Sequence, residues 1–68
     1  MLYPNLEAEL KRRNITRRMI ADDFEVSLSA VSDRLNGNSP VSMAFAKSIK
    51  ARYEIDVPLE ILFEVNPM

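Results

Sequence analysis

Apolar residues recur three or four positions apart in successive stretches of the chain, and residues that favour helix ends separate the stretches. This spacing places the apolar side chains on one face of an α-helix. Four helices are predicted, over residues 5–13, 17–24, 28–36 and 43–53. A short fifth helix is expected to begin at Asp56 or Val57, because Pro58 suits a first helical position. The pattern therefore predicts an all-α fold with five helices in one domain, residues 1–68.

The predicted helix ends depend on residue types with known preferences. Predicted N-caps, whose side-chain oxygens accept a backbone N–H of the first turn, stand before four helices: Asn5, Thr16, Ser27 and Ser42. Asn14 and Gly37 follow two of the helices and tolerate the left-handed backbone of a helix stop. Asn66-Pro67 is expected to end the last helix.

The apolar faces of these helices supply a candidate core. Its predicted members are Leu6, Leu10, Ile20, Ala21, Phe24, Val31, Leu35, Phe45, Ile49, Leu59, Leu62 and Phe63. Ala46 and Tyr53 are further candidates on the fourth helix. Ile61 and Val65 remain once this core is filled, together with Tyr53 if that ring is not part of it. An apolar patch on so small a chain indicates a contact between two copies, so a homodimer is expected, with a harmless surface patch as the alternative.

Composition excludes several classes of function. The chain has no Cys and no His, which argues against a disulfide and against a metal site of the usual zinc type. With a single Gly it has no glycine-rich phosphate loop, and no pocket for acid–base catalysis is expected. No enzyme activity, cofactor or small-molecule substrate is predicted. The absence of an apolar run of ~20 residues and of a signal-peptide pattern predicts a cytoplasmic protein without a membrane partner.

Charge is unevenly distributed along the chain, although the net charge is only −1. Residues 1–20 carry a balance of +3, from five basic residues against two acidic ones. Residues 21–38 carry −3 and residues 39–68 carry −1. One end of the protein is therefore basic, which either serves an anionic partner or only solvates the helix faces.

Two short helices joined by three residues form a predicted helix-turn-helix over about residues 16–36. Ala21 is small enough for the second helix to cross the first closely. The outer face of the second helix carries short or polar side chains: Leu28, Ser29, Ser32, Asp33 and Asn36. Such a face fits the major groove of DNA, about 12 Å wide, while Arg17 and Arg18 fall beside the phosphate backbone.

The run from Ile15 to Gly37, with its spacing of Ala21, Val26-Ser27 and Asn36-Gly37, resembles a known family. It is similar to the XRE-type helix-turn-helix domains of phage repressors and their short Cro-like relatives. The likeness continues through Ser39-Pro40 and residues 56–63. Residues 3–9 resemble the opening of small regulators from phages and prophages of Gram-positive bacteria.

This resemblance implies a repressor that occupies operator DNA as a two-fold dimer, at the bacterial nucleoid and without a separate dimerisation domain. Together with the outer face described above, it indicates a base-reading set: Ser27, Leu28, Ser29, Ser32 and Asp33. The candidate phosphate-binding set is Thr16, Arg17, Arg18, Asn36, Asn38 and Ser42. The last two lie in the 38–43 stretch, all of which the resemblance implicates in phosphate contacts.

Two features depart from the family pattern. Glu25 stands in the turn where the family usually has Gly, and a left-handed residue other than Gly costs on the order of 1 kcal/mol. Asp33 brings negative charge towards a polyanion, so it either accepts from a cytosine amino group or pairs locally with an arginine. Modest DNA affinity is expected in both cases.

Two alternative functions stay open at this point. The near-neutral charge and the acidic third helix also suit a protein-binding module on the same fold, with a partner such as an antirepressor. An antitoxin that regulates its own gene would have the same sequence features. Asp22, Asp23 and Glu25 are interpreted as a solvated face and not as a cation site, because adjacent helical residues point apart.

Overall fold

The computed structural model describes residues 2–65, and its five elements are all helices, which confirms the all-α class. The helices are α1 (Pro4–Arg12), α2 (Arg17–Phe24), α3 (Leu28–Asn36), α4 (Met43–Arg52) and α5 (Leu59–Leu62). The Cα radius of gyration is 10.9 Å, close to the value of about 11 Å expected for a compact chain of this length. None of the described helices is both long enough and apolar enough to cross a membrane.

Three predicted N-caps are confirmed, since a side-chain hydroxyl oxygen accepts a backbone N–H at the start of each helix. The pairs are Thr16 with Met19 (3.1 Å), Ser27 with Ala30 (3.0 Å) and Ser42 with Phe45 (3.1 Å). The thioether of Met19 accepts the Thr16 N–H in return, at 3.5 Å. Local hydrogen bonding therefore determines where α2, α3 and α4 begin.

The starts of α1 and α5 differ from the predictions. Pro4 is the first residue of α1 and Tyr3 is its N-cap, so the predicted cap at Asn5 is wrong. Proline is favoured at that position because its missing N–H would have no partner there. The Asn5 amide instead donates to the Ile61 carbonyl at 2.9 Å, which links α1 to α5. Pro58 is the N-cap of α5 and Leu59 its first residue, so this helix begins two or three residues later than the expected start at Asp56 or Val57.

Left-handed residues end four of the helices or their following turns, and one of them, Glu25 after α2, is described with the interface below. Asn14 (φ 58°) and Gly37 (φ 88°) adopt this conformation as predicted. Glu54 (φ 52°) follows α4 and was not predicted to do so, and α4 ends at Arg52 and not at Tyr53. A Cβ atom on Gly37 would lie 2.9 Å from Leu2, so glycine serves both the backbone angle and the close approach. The predicted stop at residues 66–67 lies outside the described residues.

The buried apolar residues come from all five helices and one connecting segment. They are Leu6, Leu10, Ile20, Ala21, Val31, Leu35, Ala46, Ile49, Ile55 and Leu62. Phe24 and Phe45 are half-buried and meet edge to face, with ring centroids 5.9 Å apart. Ile55, in the joint between α4 and α5, is 1% exposed and was not predicted. Its N–H donates to the Lys50 carbonyl at 3.0 Å, which turns it inward.

The structure decides between the two interpretations of Tyr53. Its half-buried ring packs against the core, so Tyr53 does not belong to an exposed patch with Ile61 and Val65. Ile61 and Val65 are 48% and 50% exposed, as expected of residues outside the core.

Candidate nucleic-acid interface

The turn between α2 and α3 consists of Glu25, Val26 and Ser27. Glu25 has φ 56° and ψ 42°, the left-handed conformation inferred from its place in the turn. The backbone N–H groups of Glu25 and Val26 both donate to the Ala21 carbonyl oxygen, and the bond from Val26 measures 3.0 Å. Ala21 is only 3% exposed, as the close approach of the two helices requires. The turn therefore holds α3 in a defined position on α2.

Helix α3 has one buried side and one open side. Val31 and Leu35 are fully buried, while Ser29 and Asn36 are exposed. Leu28, at the first position of the helix, is 42% exposed although it is apolar. The two other predicted base-reading residues, Ser32 and Asp33, are half-buried at the margin of this surface. The outer face of α3 is thus open at its two ends, at Leu28, Ser29 and Asn36, and only half-open between them.

Three candidate contact residues already have a structural role. The hydroxyl oxygens of Thr16, Ser27 and Ser42 are the N-cap acceptors of α2, α3 and α4. A hydroxyl that accepts a backbone N–H still has its own hydrogen to donate. Their capping role is therefore compatible with a DNA contact. It also accounts for the presence of these residues at the helix starts if they make no such contact.

The two arginines at the start of α2 have different surroundings. A guanidinium nitrogen of Arg17 donates to a carboxylate oxygen of Glu7 in α1 at 2.8 Å. Arg18 is exposed, and no carboxylate of residues 2–65 forms an ion pair with it. Of the two arginines, Arg18 therefore presents its charge directly to solvent, whereas the charge of Arg17 is balanced by Glu7 within the protein.

A second ion-pair group engages the end of α1. Glu9 accepts from both Arg12 and Arg13, and Arg13 also lies 3.5 Å from Asp56. The hydrogen bond from Arg13, with the bond and charge of Arg12, lowers the pKa of Glu9 below its usual value. Three of the five basic side chains of residues 1–20 are therefore engaged by carboxylates. Glu7 and Glu9 are already counted in the +3 balance of this segment, so only Asp56 adds negative charge from outside it.

The acid on α3 has no arginine partner. No ion pair to the Asp33 carboxylate occurs in the part of the chain that the structure describes, so the predicted alternative of a local arginine pair is not realised there. Its backbone carbonyl accepts the N–H groups of Asn38 and Ser39, which closes the end of α3. The neighbouring Arg34 instead lies over the Phe45 ring, 4.7 Å from its centroid.

The remaining acidic residues near the turn do not converge. Asp23 accepts from the Tyr53 hydroxyl and lies 3.4 Å from Arg52, while Asp22 and Glu25 are exposed. Within residues 2–65, no group of three or more His, Cys, Asp or Glu side chains is placed to hold a metal ion.

An apolar groove of about 570 Å³ lies between the start of α1, the start of α4 and α5. It is lined mainly by apolar side chains: Tyr3, Val41, Met43, Leu59, Phe63 and Val65. Met43 is 63% exposed, the most exposed of the large apolar residues described. Lys47 and Glu60 lie at the same groove and give it one charge of each sign.

Comparisons with known proteins find no family model, curated protein or solved structure that matches this chain. The likeness to XRE-type regulators therefore stays a prediction that depends on the residues quoted above.

The sequence did not predict that Glu7 of α1 lies beside the candidate phosphate-binding residues at the start of α2. Glu7 and Arg17 are ten positions apart and lie in different helices, so no helical spacing pairs them. One signal was present: two arginines in the first turn of α2 oppose the helix dipole, which favours an acidic partner nearby. The identity of that partner depends on how α1 packs beside α2.

Proposed function

We propose that this protein binds duplex DNA with α3 in the major groove and regulates transcription, as a repressor that occupies its operator. The observation that supports this most directly is the α2–α3 unit, in which the turn at Glu25 leaves α3 buried on one side and open on the other. An α-helix is about 10–12 Å in diameter, so it enters a groove about 12 Å wide only where its side chains are short. The site of action would be the bacterial nucleoid.

The base-reading residues follow from the exposed face. Ser29 can exchange hydrogen bonds with a base edge, and Leu28 offers an apolar contact to a thymine methyl group. The carboxylate of Asp33 accepts from a cytosine amino group, a role left open by the absence of a basic partner in residues 2–65. Ser27 and Ser32 complete the set at the two edges of this surface.

The phosphate contacts surround this face. Arg18 supplies an exposed cation at the start of α2, where the helix dipole also favours an anion. Thr16, Ser42, Asn36 and Asn38 supply neutral donors, and all four are exposed. Arg17 adds a second cation once it exchanges Glu7 for a phosphate. Few strong cations face the DNA in this arrangement, so the affinity for random duplex is modest.

We also propose a homodimer as the active form. Operator symmetry mirrors a two-fold protein axis, and two copies of α3 would meet half-sites about 34 Å apart. Three exposed apolar side chains are available for the contact between copies: Met43, Ile61 and Val65. Their burial against a second copy removes apolar surface from water and stabilises the association.

The decisive experiment measures binding to labelled random-sequence duplexes over a range of salt concentrations and then selects bound duplexes from a random pool. Binding that weakens steeply as the salt concentration rises indicates phosphate contacts. The logarithm of the association constant falls with the logarithm of the salt concentration, with a slope of about −0.9 for each contact. The selected pool should converge on a sequence with two-fold symmetry.

Arg18→Gln and Lys47→Gln form a matched pair for this measurement. Both residues are exposed, and neither forms an ion pair within residues 2–65, but only Arg18 lies at the start of α2. Arg18→Gln should reduce the salt slope by about one unit, and Lys47→Gln should leave it unchanged. A wild-type protein that neither binds random duplex nor enriches a sequence would refute DNA binding.

The apolar groove favours a protein-interaction module as the second candidate function. Its mixed charges and exposed Met43 suit a protein partner better than a polyanion. This function predicts almost no salt-dependent binding to duplex DNA, together with loss of partner binding in a Met43→Glu variant that keeps its fold.

A further inference from the structure

The ion pair between α1 and α2 lies next to the surface that we assign to DNA. The Glu7 carboxylate lies 2.8 Å from a guanidinium nitrogen of Arg17, and the two side chains are 20% and 31% exposed. Both residues line a cleft between the two helices, which Lys11 and Thr16 also border. The pair is thus partly shielded but open to an anion that approaches the start of α2.

Glu7 is held rigidly relative to the core. The adjacent Leu6 is fully buried, Leu10 is 3% exposed, and the Glu7 N–H donates to the Tyr3 carbonyl at 2.9 Å. The Glu7 backbone is therefore fixed, and its carboxylate moves only by rotation about its own side-chain bonds. Arg17 has a longer and more adaptable side chain, so it is the partner that changes position when the pair opens.

We propose that Glu7 is a positioning residue that restrains the affinity of this protein for DNA by competing with phosphate for Arg17. The proposal rests on the DNA-binding function argued above. In the free protein the guanidinium charge is balanced by the carboxylate, so the start of α2 attracts a polyanion through Arg18 alone. A phosphate engages Arg17 only by displacing Glu7, and this displacement offsets part of the favourable contact.

The consequence is a lower affinity for every duplex. Random duplex, which is held mainly by phosphates, gains little from Arg17 because the new contact replaces an existing ion pair. An operator bears the same cost of displacing Glu7, but it adds the contacts of the base-reading face, so it remains the tighter ligand. Glu7 therefore weakens binding to both kinds of duplex, and the base contacts supply the discrimination between them.

A double-mutant cycle with Glu7→Gln and Arg17→Gln tests this mechanism on the full chain. Glu7→Gln removes the charge while keeping the shape, so it should raise the affinity for random duplex about fivefold and make the salt slope about one unit steeper. In the Arg17→Gln background the same substitution should change affinity by less than about twofold, because the released cation is missing. Circular dichroism would show that each variant stays helical.

Glu60→Gln is the matched control, because Glu60 is an exposed acid of α5 with no ion pair in residues 2–65. It changes the net charge by the same amount but should leave the affinity and the salt slope nearly unchanged. An equal gain from Glu7→Gln with and without Arg17, or an equal gain from Glu60→Gln, would overturn the proposal while leaving DNA binding intact. Failure of every variant both to bind random duplex and to enrich a sequence from a random pool would overturn both.

Discussion

The hydroxyl group of Tyr53, just after α4, donates a hydrogen bond to the Asp23 carboxylate near the end of α2 at 2.6 Å. The residues are thirty positions apart, so this bond ties the helix-turn-helix to the C-terminal half of the chain. Arg52 strengthens the link, since it lies 3.4 Å from the same Asp23 oxygen and 5.3 Å from the centroid of the Tyr53 ring. The position of α2 is therefore set by polar contacts as well as by the core.

Because of the hydrogen bond from Tyr53 to Asp23, we expect the free energy of unfolding to fall at alkaline pH. Burial, together with the bond to Asp23, raises the pKa of Tyr53 to about 12, whereas an unfolded tyrosine titrates near 10. Between these values the unfolded chain releases a proton that the folded protein keeps, so the free energy of unfolding falls as pH rises. The contribution is fully present below about pH 10 and is lost as pH rises through about 12.

Tyr53→Phe provides the measurement. Denaturant unfolding near neutral pH should show the variant less stable by about 1 kcal/mol, the usual net value of one hydrogen bond. The difference between wild type and variant should shrink on the alkaline side, because the variant has no proton to lose at this position. A difference that stays constant up to pH about 12 would contradict the assigned pKa.

The turn residue Glu25 should be replaceable by glycine with a gain in stability. Its left-handed backbone costs a side-chain-bearing residue on the order of 1 kcal/mol, partly offset by the greater freedom of glycine in the unfolded chain. Glu25→Gly should therefore raise the free energy of unfolding by about 0.5 kcal/mol.

Ala8→Gly is the contrasting variant, since Ala8 is an exposed residue within α1. A glycine at this position should lower the free energy of unfolding by about 1 kcal/mol. The backbone of Ala8 is helical and unstrained, so glycine only adds conformational freedom to the unfolded chain. Equal losses in both variants, measured by thermal or denaturant unfolding, would show that Glu25 is unstrained.

Substitutions on α3 should change which DNA is preferred. Ser29→Ala removes a hydrogen-bonding group, and Asp33→Asn replaces an acceptor-only carboxylate with an amide that also donates. Each should weaken discrimination at one base pair by about 1–3 kcal/mol, as measured by competition among duplexes that differ at single positions. An unchanged preference in both variants would show that α3 does not read bases.

The apolar patch should control self-association. The double variant Met43→Glu, Ile61→Lys replaces two apolar side chains, which are 63% and 48% exposed, with charged ones. The folded monomer tolerates charges at such exposed positions, but a contact between copies that buries them is destabilised. Sedimentation should show the wild type as a dimer and this variant as a monomer. Leu28→Gln, which alters a side chain of similar exposure on α3, should leave the dimer intact. Monomeric wild-type protein would rule out the proposed homodimer.

Much of the helical framework was predictable because its signals lie close together along the chain. Thr16, Ser27 and Ser42 form their caps with backbone groups three positions away, and the left-handed Asn14 and Gly37 stop helices through their own backbone preferences. The exposed face of α3 followed from the same local spacing. The predicted Asn5 cap failed because α1 already begins at Pro4, which leaves Asn5 inside the first turn, where its amide donates to the distant Ile61 carbonyl.

Sequence alone determined the helices, most of their ends and the burial of Val31 and Leu35, since each depends on interactions within one or two helical turns. Only the tertiary structure decided that Glu7 holds Arg17, that Tyr53 bonds to Asp23 and that Ile55 turns into the core. A charged or polar side chain has several chemically equivalent partners in the sequence. The three-dimensional arrangement of the helices selects among them, because a hydrogen bond requires approach to within about 3 Å.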